Sequence, residues 1–243
     1  MSAASLSLDS AQQDKNWVQD DDAEAFARLA NTRFSCRAFL SHSVPDAVIA
    51  KILETAQHSA SWCNAQPWQI IVTRGAGTER FRSGIYRHAS EHRPSSDYPY
   101  PREYHGVYRE RRRECALQLY ASLGITRAER DAANKQAMEN YRLFGAPHVA
   151  IITSDEALGV YGAVDCGGFA SSFALAAHSQ GVATVIQAAL ASYPGFIREH
   201  FGLPNDRLIV CGISFGYADQ LHPINGYRTT RERIAQSTTW VDE

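Results

Sequence analysis

One short segment, residues 64–68 (Asn-Ala-Gln-Pro-Trp), constrains the fold most, because the chain passes there from a helix into a strand. An apolar helical pattern ends at Gln57, and a β-rich run begins at Trp68. Pro67 lacks a backbone donor and biases the preceding residue toward an extended backbone. The amides of Asn64 and Gln66 each carry donors and an acceptor. This corner can present fixed amides to a flat heterocycle; the alternative is a capped loop around a core tryptophan.

Helical and strand patterns follow one another without the regularity of repeated parallel strand–helix–strand units. The patterns predict helices over 22–31, 45–57, 79–88, 104–123, 128–141, 161–180 and 193–201, and strands over 68–73, 147–153, 183–187 and 207–214. Four strands among seven helices predict an α+β fold.

Composition and charge exclude several classes of partner. The formal net charge of the 243 residues is −2, which gives no reason to expect nucleic acid or an anionic membrane surface. The five cysteines form no C-x-x-C pair, so we expect reduced thiols in a cytoplasmic protein, with no metal site. From the apolar runs and the acidic N-terminal region we expect neither a membrane span nor a signal peptide.

The two ends of the chain differ from its middle. Residues 1–22 are rich in Ser, Ala, Gln and Asp and predict a flexible arm. Residues 219–243 lack a clear apolar period and predict a second arm. The predicted domain therefore covers residues 23–218.

Charged and hydroxyl side chains near both ends suggest an anion site. Arg33 and Ser35 are two apart and point to one side of an extended backbone, which suits a phosphate. Arg231 would complete the clamp, with Arg228 assisting. The alternative for any one of these arginines is a surface salt bridge.

A pair of glycines, Gly167 and Gly168, falls at a predicted helix start. Glycines there would let the backbone approach a ring closely, and the alternative is tight packing between helices. Residues 187–190 leave a strand beside this place and could line the same ring.

Three motifs in order resemble the FMN-dependent nitroreductase family. Residues 61–68 (Ser-Trp-Cys-Asn-Ala-Gln-Pro-Trp) resemble its PS-x-x-N-x-QPW signature, residues 33–39 its R-x-S-x-R-x-F opening, and residues 212–217 with 225–231 its closing G-x-x-x-GY and N-x-x-R-T-x-R motifs. The resemblance runs from about Arg33 to Trp240. Ala60, Phe34 and the Trp62–Cys63 pair depart from the usual residues and bear on the shape of the active site.

The resemblance implies a three-layer α-β-α sandwich with a central, mostly antiparallel sheet, in an intertwined homodimer whose C-terminal arm embraces the partner subunit. It implies bound FMN, with Arg37 near the flavin and Asn64 at the pyrimidine edge. The cofactor-binding residues it implies are Arg33, Phe34, Ser35, Arg37, Ser61, Trp62, Cys63, Asn64, Gln66, Gly167, Gly168, Gln187, Ala188, Leu190, Arg228 and Arg231.

Aromatic residues in the middle of the chain predict a substrate wall. Tyr98 and Tyr100 alternate with prolines, which hold the rings out from a stiff backbone. With Tyr141, Phe144 and Trp62 they would sandwich a planar acceptor. The alternative is that these rings only pack a surface helix onto the body.

The expected function is reduction of a nitroaromatic, quinone or similar planar acceptor by NADH or NADPH through FMN. The chain has no G-x-G-x-x-G motif, so both substrates would use the flavin in turn, with ping-pong kinetics. Two alternatives stay open: a reductive dehalogenase on the same fold, and a flavin-binding sensor or carrier without turnover.

Overall fold

The structure, a computed structural model, describes residues 21–126 and 128–242 of the chain. It divides into two units, one ending at Arg33 and the other beginning at Phe34. The described part of the first unit is essentially one helix, α1 (Asp22–Thr32), whose side chains are not buried. Apart from its last two residues, the arm predicted over residues 1–22 lies outside the described residues.

The second unit contains six α-helices and four strands within its described residues. They are α2 (Asp46–Gln57), β1 (Gln69–Val72), α3 (Ala76–Glu91), α4 (Gly106–Ser122), α5 (Arg130–Met138), β2 (His148–Asp155), α6 (Gly159–Ser179), β3 (Ala183–Gln187), α7 (Pro194–Phe201) and β4 (Arg207–Gly216). The α+β prediction is confirmed, and α5 is shorter than the helix predicted over 128–141.

The strands form one antiparallel sheet in the order β1-β2-β4-β3. Strand β2 is buried along almost its whole length, since successive side chains point to opposite faces that are both covered. Ala150 and Ile152 face one core and Val149 and Ile151 face the other. The predicted antiparallel sheet is confirmed.

Two helical layers cover the sheet. Helices α2 and α6 contribute Ile52 and Phe173 to the core on one face. Helices α3 and α7 contribute Phe81 and Ile197 to the core on the other. The three-layer α-β-α arrangement is therefore confirmed, with the sheet in the middle.

Helix α6 lies against β2 at very short range. A Cβ atom added at Gly162 would meet Ser154 Oγ at 2.4 Å, so only glycine permits this approach. Residues Glu156–Ser179 are also long and apolar enough to cross a membrane by length and composition alone. Because Phe169, Phe173 and Ala177 of this helix lie in the core, packing on the sheet accounts for that composition.

The C-terminal segment departs from the predicted arm. Asp219 N donates to Ala38 O at 3.0 Å, and Ile224 and Asn225 are buried. Residues as far as Asn225 therefore pack into their own chain, while Ile234, Trp240 and Val241 are exposed.

Candidate active site

The loop between α2 and β1, residues 61–67 and called the amide loop below, has an unusual backbone. Cys63, Asn64 and Gln66 all have left-handed φ values, of 50°, 55° and 47°. Asn tolerates this region, whereas Cys and Gln rarely occupy it, so the surrounding contacts must hold the loop in place. Strained backbone of this kind gathers at binding sites.

A series of side-chain amides provides those contacts. Trp68 Nε1 donates to Gln57 Oε1 at 3.0 Å, and Gln57 Nε2 donates to Gln66 Oε1 at 2.9 Å. Gln66 Nε2 then donates to Asn64 Oδ1 at 3.1 Å. Ser61 Oγ accepts from Gln66 N at 3.0 Å. Both predicted amides of the corner are thus brought together, and Gln57 joins them.

Helix α6 anchors the other side of the amide loop. Asp165 Oδ2 accepts from Trp62 N at 3.1 Å, and the Trp62 and Tyr161 rings meet edge to face at 4.5 Å. Trp62 remains 58% exposed, so it can still contact a ligand or another chain.

The predicted helix start at the glycine pair is wrong. Helix α6 begins at Gly159, so Gly167 and Gly168 lie in its interior, where each backbone N–H is directed at the carbonyl four residues earlier. Such N–H groups are not free to reach a ring. A Cβ atom at either glycine would meet nothing within 4 Å among the described residues, so tight packing against those residues does not explain them either.

A second set of predicted residues meets beside β3, at the opposite edge of the sheet. Arg37 Nη1 donates to Ser35 O at 3.2 Å and to the Tyr227 hydroxyl at 3.1 Å. Burial raises the pKa of Tyr227, so this hydroxyl stays protonated beside the guanidinium. Asn225 links the C-terminal segment to residues 37 and 38. Its Oδ1 accepts from Arg37 N and its Nδ2 donates to Ala38 O, both at 2.8 Å.

Two more arginines follow Tyr227 closely in the chain. The Arg228 guanidinium lies 3.9 Å from the centre of the Phe34 ring and donates to Asn225 O at 2.7 Å. Arg231 donates to Thr229 Oγ1 at 2.7 Å and to Thr230 O at 2.8 Å. We call Phe34, Ser35, Arg37, Asn225, Tyr227, Arg228 and Arg231 the arginine group.

The three arginines of the arginine group bind neutral oxygens of the described chain. Within residues 21–126 and 128–242, neither Arg37, Arg228 nor Arg231 forms a salt bridge, and their acceptors are carbonyl and hydroxyl oxygens. By contrast, Arg111 of α4 pairs with Glu232 at 3.7 Å. Three guanidinium groups with neutral partners are suited to an external anion.

Arg33 belongs to the first unit. It follows helix α1 as its C-cap residue, with its backbone N–H donating to Leu29 O at 3.0 Å. Its predicted contact with a phosphate stays a prediction.

The last residue of β3 and the residues that follow it serve partly as core. Gln187 is buried, and its amide Nε2 donates to Asn140 O at 2.9 Å while its oxygen accepts from the Ser214 hydroxyl. Leu190 is fully buried against Gly212, so its side chain faces the core. Of the three predicted residues here, Ala188 alone has an exposed side chain.

The predicted aromatic wall divides into two parts. The Tyr100 hydroxyl contacts Ala188 O and Ser192 Oγ at 2.8 Å, and the Tyr141 ring meets Tyr193 at 5.5 Å. Phe144 lies elsewhere: its carbonyl accepts from Phe39 N at 3.3 Å, and it lines a cleft of about 550 Å³ with Arg37.

Tyr98 is more deeply placed than a substrate wall requires. Its hydroxyl is buried and finds no hydrogen-bond partner in the described part of the chain. Burial raises its pKa.

Sequence reasoning missed three residues that hold the site together: Gln57, Asn225 and Tyr227. Asn225 and Tyr227 belong to the closing motif, residues 225–231, which indicated that they lie at the site but did not indicate their contacts. Gln57 had no local signal, because its role depends on the indole eleven residues later.

The amide loop and the arginine group lie at opposite edges of the sheet. The loop leads directly into β1, whereas Ser35 pairs with Thr184 of β3, and β1 and β3 are the two edge strands. Three strand spacings separate these edges, or roughly 14 Å. The chain therefore brings the predicted residues together as two groups, one at each edge.

Comparison with known proteins identifies relatives of this chain. The model of the Nitroreductase family matches residues 30–217. The chain is 36% identical over 220 residues to nitroreductase NfnB of Mycolicibacterium smegmatis, covering 90% of this chain and 93% of that one. It is 31% identical over 227 residues to a 4-nitrobenzoate reductase of a Nocardioides species, covering 90% and 92%.

Solved structures of nitroreductases have the same fold as this chain. The FMN-dependent nitroreductase NfnB from Mycobacterium smegmatis, solved in complex with NADPH, superposes with a TM-score of 0.86 at 34% identity, covering 90% of this chain and 99% of that one. An FMN- and NADPH-dependent NfnB from a Sphigopyxis strain gives a TM-score of 0.85 at 31% identity, covering 91% and 99%. The chain belongs to the nitroreductase family.

Proposed function

We propose that this protein is an FMN-dependent NAD(P)H oxidoreductase that reduces nitroaromatics, quinones or similar planar acceptors. The observation that carries the proposal is the arginine group, in which Arg37, Arg228 and Arg231 contact only neutral acceptors in the described chain. A phosphate monoester would supply the missing negative charge. The residues present therefore fit FMN.

Each part of the site has its own task in this proposal. Arg228 and Arg231 hold the phosphate, and Arg37 holds positive charge near the flavin ring or its ribityl chain. Asn64 hydrogen-bonds the pyrimidine edge. When bound, FMN supplies hydride chemistry, accepting two electrons from NADH or NADPH and passing them to the acceptor.

The relatives support the choice of donor and acceptor. NfnB is described as FMN-dependent and was solved with NADPH, and the Nocardioides relative is named for 4-nitrobenzoate. This chain has no dinucleotide-binding motif of its own, so we infer that donor and acceptor occupy one place in turn. Ping-pong kinetics follow from such sharing.

We further infer a homodimer in which each flavin site draws on both chains. The amide loop and the arginine group lie at opposite sheet edges, so one chain does not offer them as a single site. Helix α6 exposes apolar and small residues beside the amide loop: Val160, Tyr161, Val164, Gly167 and Gly168. A second copy covering this face would bury it and bring its own arginine group toward the loop.

The exposed C-terminal residues suit the same assembly. Ile234, Trp240 and Val241 are 67%, 75% and 80% exposed, which is unusual for large apolar side chains. We propose that the segment after Arg231 embraces the partner subunit. The five free cysteines suit a cytoplasmic location, which we also propose.

Turnover with purified protein tests the function. We expect the protein to carry FMN and to oxidise NADPH or NADH steadily when 4-nitrobenzoate or a quinone is added. Bound flavin without acceptor-dependent oxidation would contradict the enzyme and indicate a carrier. Halide release from a halogenated aromatic, with no nitro reduction, would indicate a dehalogenase.

A further inference from the structure

The four side chains of the amide series have a fixed polarity. The Trp68 indole N–H can only donate, so the Gln57 atom that it contacts must be the oxygen. The other end of the Gln57 amide is then a donor, and it faces Gln66 at 2.9 Å. The Gln66 atom at that contact must therefore be its oxygen.

The far end of the series fixes the same polarity independently. The Gln66 amide also lies 3.4 Å from the backbone carbonyl oxygen of Asn64, which can only accept. The Gln66 atom near Asn64 is therefore its nitrogen, in agreement with the polarity set from Trp68. It donates to Asn64 Oδ1 at 3.1 Å.

The outcome is a defined orientation of the Asn64 side chain. Its oxygen is engaged by Gln66, and its Nδ2 has no partner among the residues that the structure describes. Asn64 thus presents an N–H donor outward, from a loop whose left-handed backbone leaves it little freedom.

We propose that Gln57 is a positioning residue that sets Asn64 as a hydrogen-bond donor to a carbonyl acceptor on the pyrimidine edge of the flavin. This inference rests on the proposed FMN function. Gln57 contacts no ligand itself and acts through Gln66 and Asn64. An amide is needed at position 57, because it must accept from the indole and donate to Gln66 at once.

The isosteric change Gln57→Glu tests this polarity. A carboxylate can accept from Trp68, but it cannot donate to Gln66, so the Gln66 amide turns over and directs its oxygen at Asn64. Asn64 then loses its fixed orientation. We expect the dissociation constant for FMN, measured by quenching of flavin fluorescence, to rise about tenfold.

A double-variant cycle separates positioning from general stability. Asn64→Gly removes the amide at a backbone position that glycine tolerates. If Gln57 acts through Asn64, the double variant binds FMN within about twofold of Asn64→Gly alone. Gln57→Met offers the same cycle should Gln57→Glu not fold. Gln180→Glu, which adds the same charge at the far end of α6, is the control and should leave FMN affinity unchanged.

Two results would overturn the proposal: unchanged FMN affinity in Gln57→Glu, or a tenfold effect that persists in the Asn64→Gly background. Failure of the wild-type protein to bind FMN would instead overturn the proposed function. The two failures are therefore distinct.

Discussion

At the scale of single residues, the arginine group consists of residues that are distant in sequence and meet at a candidate anion site. Arg37 and Tyr227 are 190 positions apart, yet their side chains meet at 3.1 Å. In the described residues Arg37, Arg228 and Arg231 form no salt bridge, so an anion bound to them would offset positive charge that the chain itself leaves unpaired. This is why the group is better explained by a phosphate than by surface salt bridges.

We expect Arg228→Ala and Arg231→Ala each to weaken FMN binding by about tenfold to a hundredfold, since a hydrogen bond to a charged group contributes about 1.5–3 kcal/mol. Equilibrium dialysis followed by flavin absorbance measures the loss. Arg113→Ala, on α4, is the matched control. Unaltered FMN affinity in both site variants would rule out the phosphate assignment.

Three buried thiols give the core a dependence on alkaline pH. Burial raises the pKa of Cys36 and Cys166 to about 11 and that of Cys211 to about 12. A raised pKa in the folded state means that the unfolded chain ionises first as the pH rises. The stability that the neutral buried thiols contribute is therefore complete below about pH 9 and is lost above it.

We expect the free energy of unfolding to fall by roughly 1 kcal/mol per buried thiol between pH 8 and pH 10. Urea denaturation at both pH values measures it. Cys211→Ala should be less stable at pH 8 but lose less between the two pH values than the wild type. An equal loss in both proteins would show that Cys211 does not titrate as the structure implies.

At the scale of elements, the segment that follows β3 connects the sheet to the aromatic residues. The Tyr100 hydroxyl donates to Ala188 O and also contacts Ser192 Oγ, and Tyr141 packs on Tyr193 beside this segment. The segment is therefore held by rings that the sequence placed in the substrate wall.

We expect Tyr100→Phe to change the KM for the acceptor by several-fold while FMN content is unchanged, because the 188–192 segment loses its hydroxyl contacts. Each lost hydrogen bond costs about 0.5–1.5 kcal/mol, so the melting temperature should fall only slightly. Steady-state kinetics with several acceptors provide the test, with Tyr108→Phe on the exposed face of α4 as control. A large drop in melting temperature with an unaltered acceptor profile would make this ring a packing residue.

Elements with a strong local pattern could be predicted from the sequence. Hydrophobic periodicity predicts the buried strands and the apolar face of α2. The proline and the motif of the amide loop predict that loop. The helix predicted over 161–180 already contained Gly167 and Gly168, so the helix start inferred at these glycines was a wrong local interpretation: glycine usually marks a helix end, whereas here neighbouring core contacts extend the helix past it. The burial of Leu190 and Gln187 is likewise decided by β4, which lies far away in sequence.

At the scale of the whole molecule, the separation of the two groups of site residues is the leading fact. A sequence motif says which residues belong to a site, but it does not say that they come from one chain. The exposed apolar face of α6, with Val160 and Val164 more than 60% exposed, indicates where a second copy would lie.

We expect Val164→Asp to shift the protein from dimer to monomer and to release FMN, because a buried, unpaired charge is costly at an interface. Light scattering coupled to size exclusion gives the mass, and absorbance gives the flavin content. Ser179→Asp, in the last turn of the same helix, should leave both unchanged. A Val164→Asp protein that remains a flavin-bound dimer would place the interface elsewhere.

Complementation between two variants tests most directly whether each flavin site is built from two chains. Arg228→Ala damages the arginine group and Asn64→Gly damages the amide loop, so either variant alone should bind FMN weakly. Co-expression of the two should give mixed dimers that each contain one intact site and one doubly damaged site. With random pairing, we predict recovery of about a quarter of the tight FMN sites of the wild-type dimer. No recovery in isolated mixed dimers would contradict a shared site and place both groups of residues in a site within one chain.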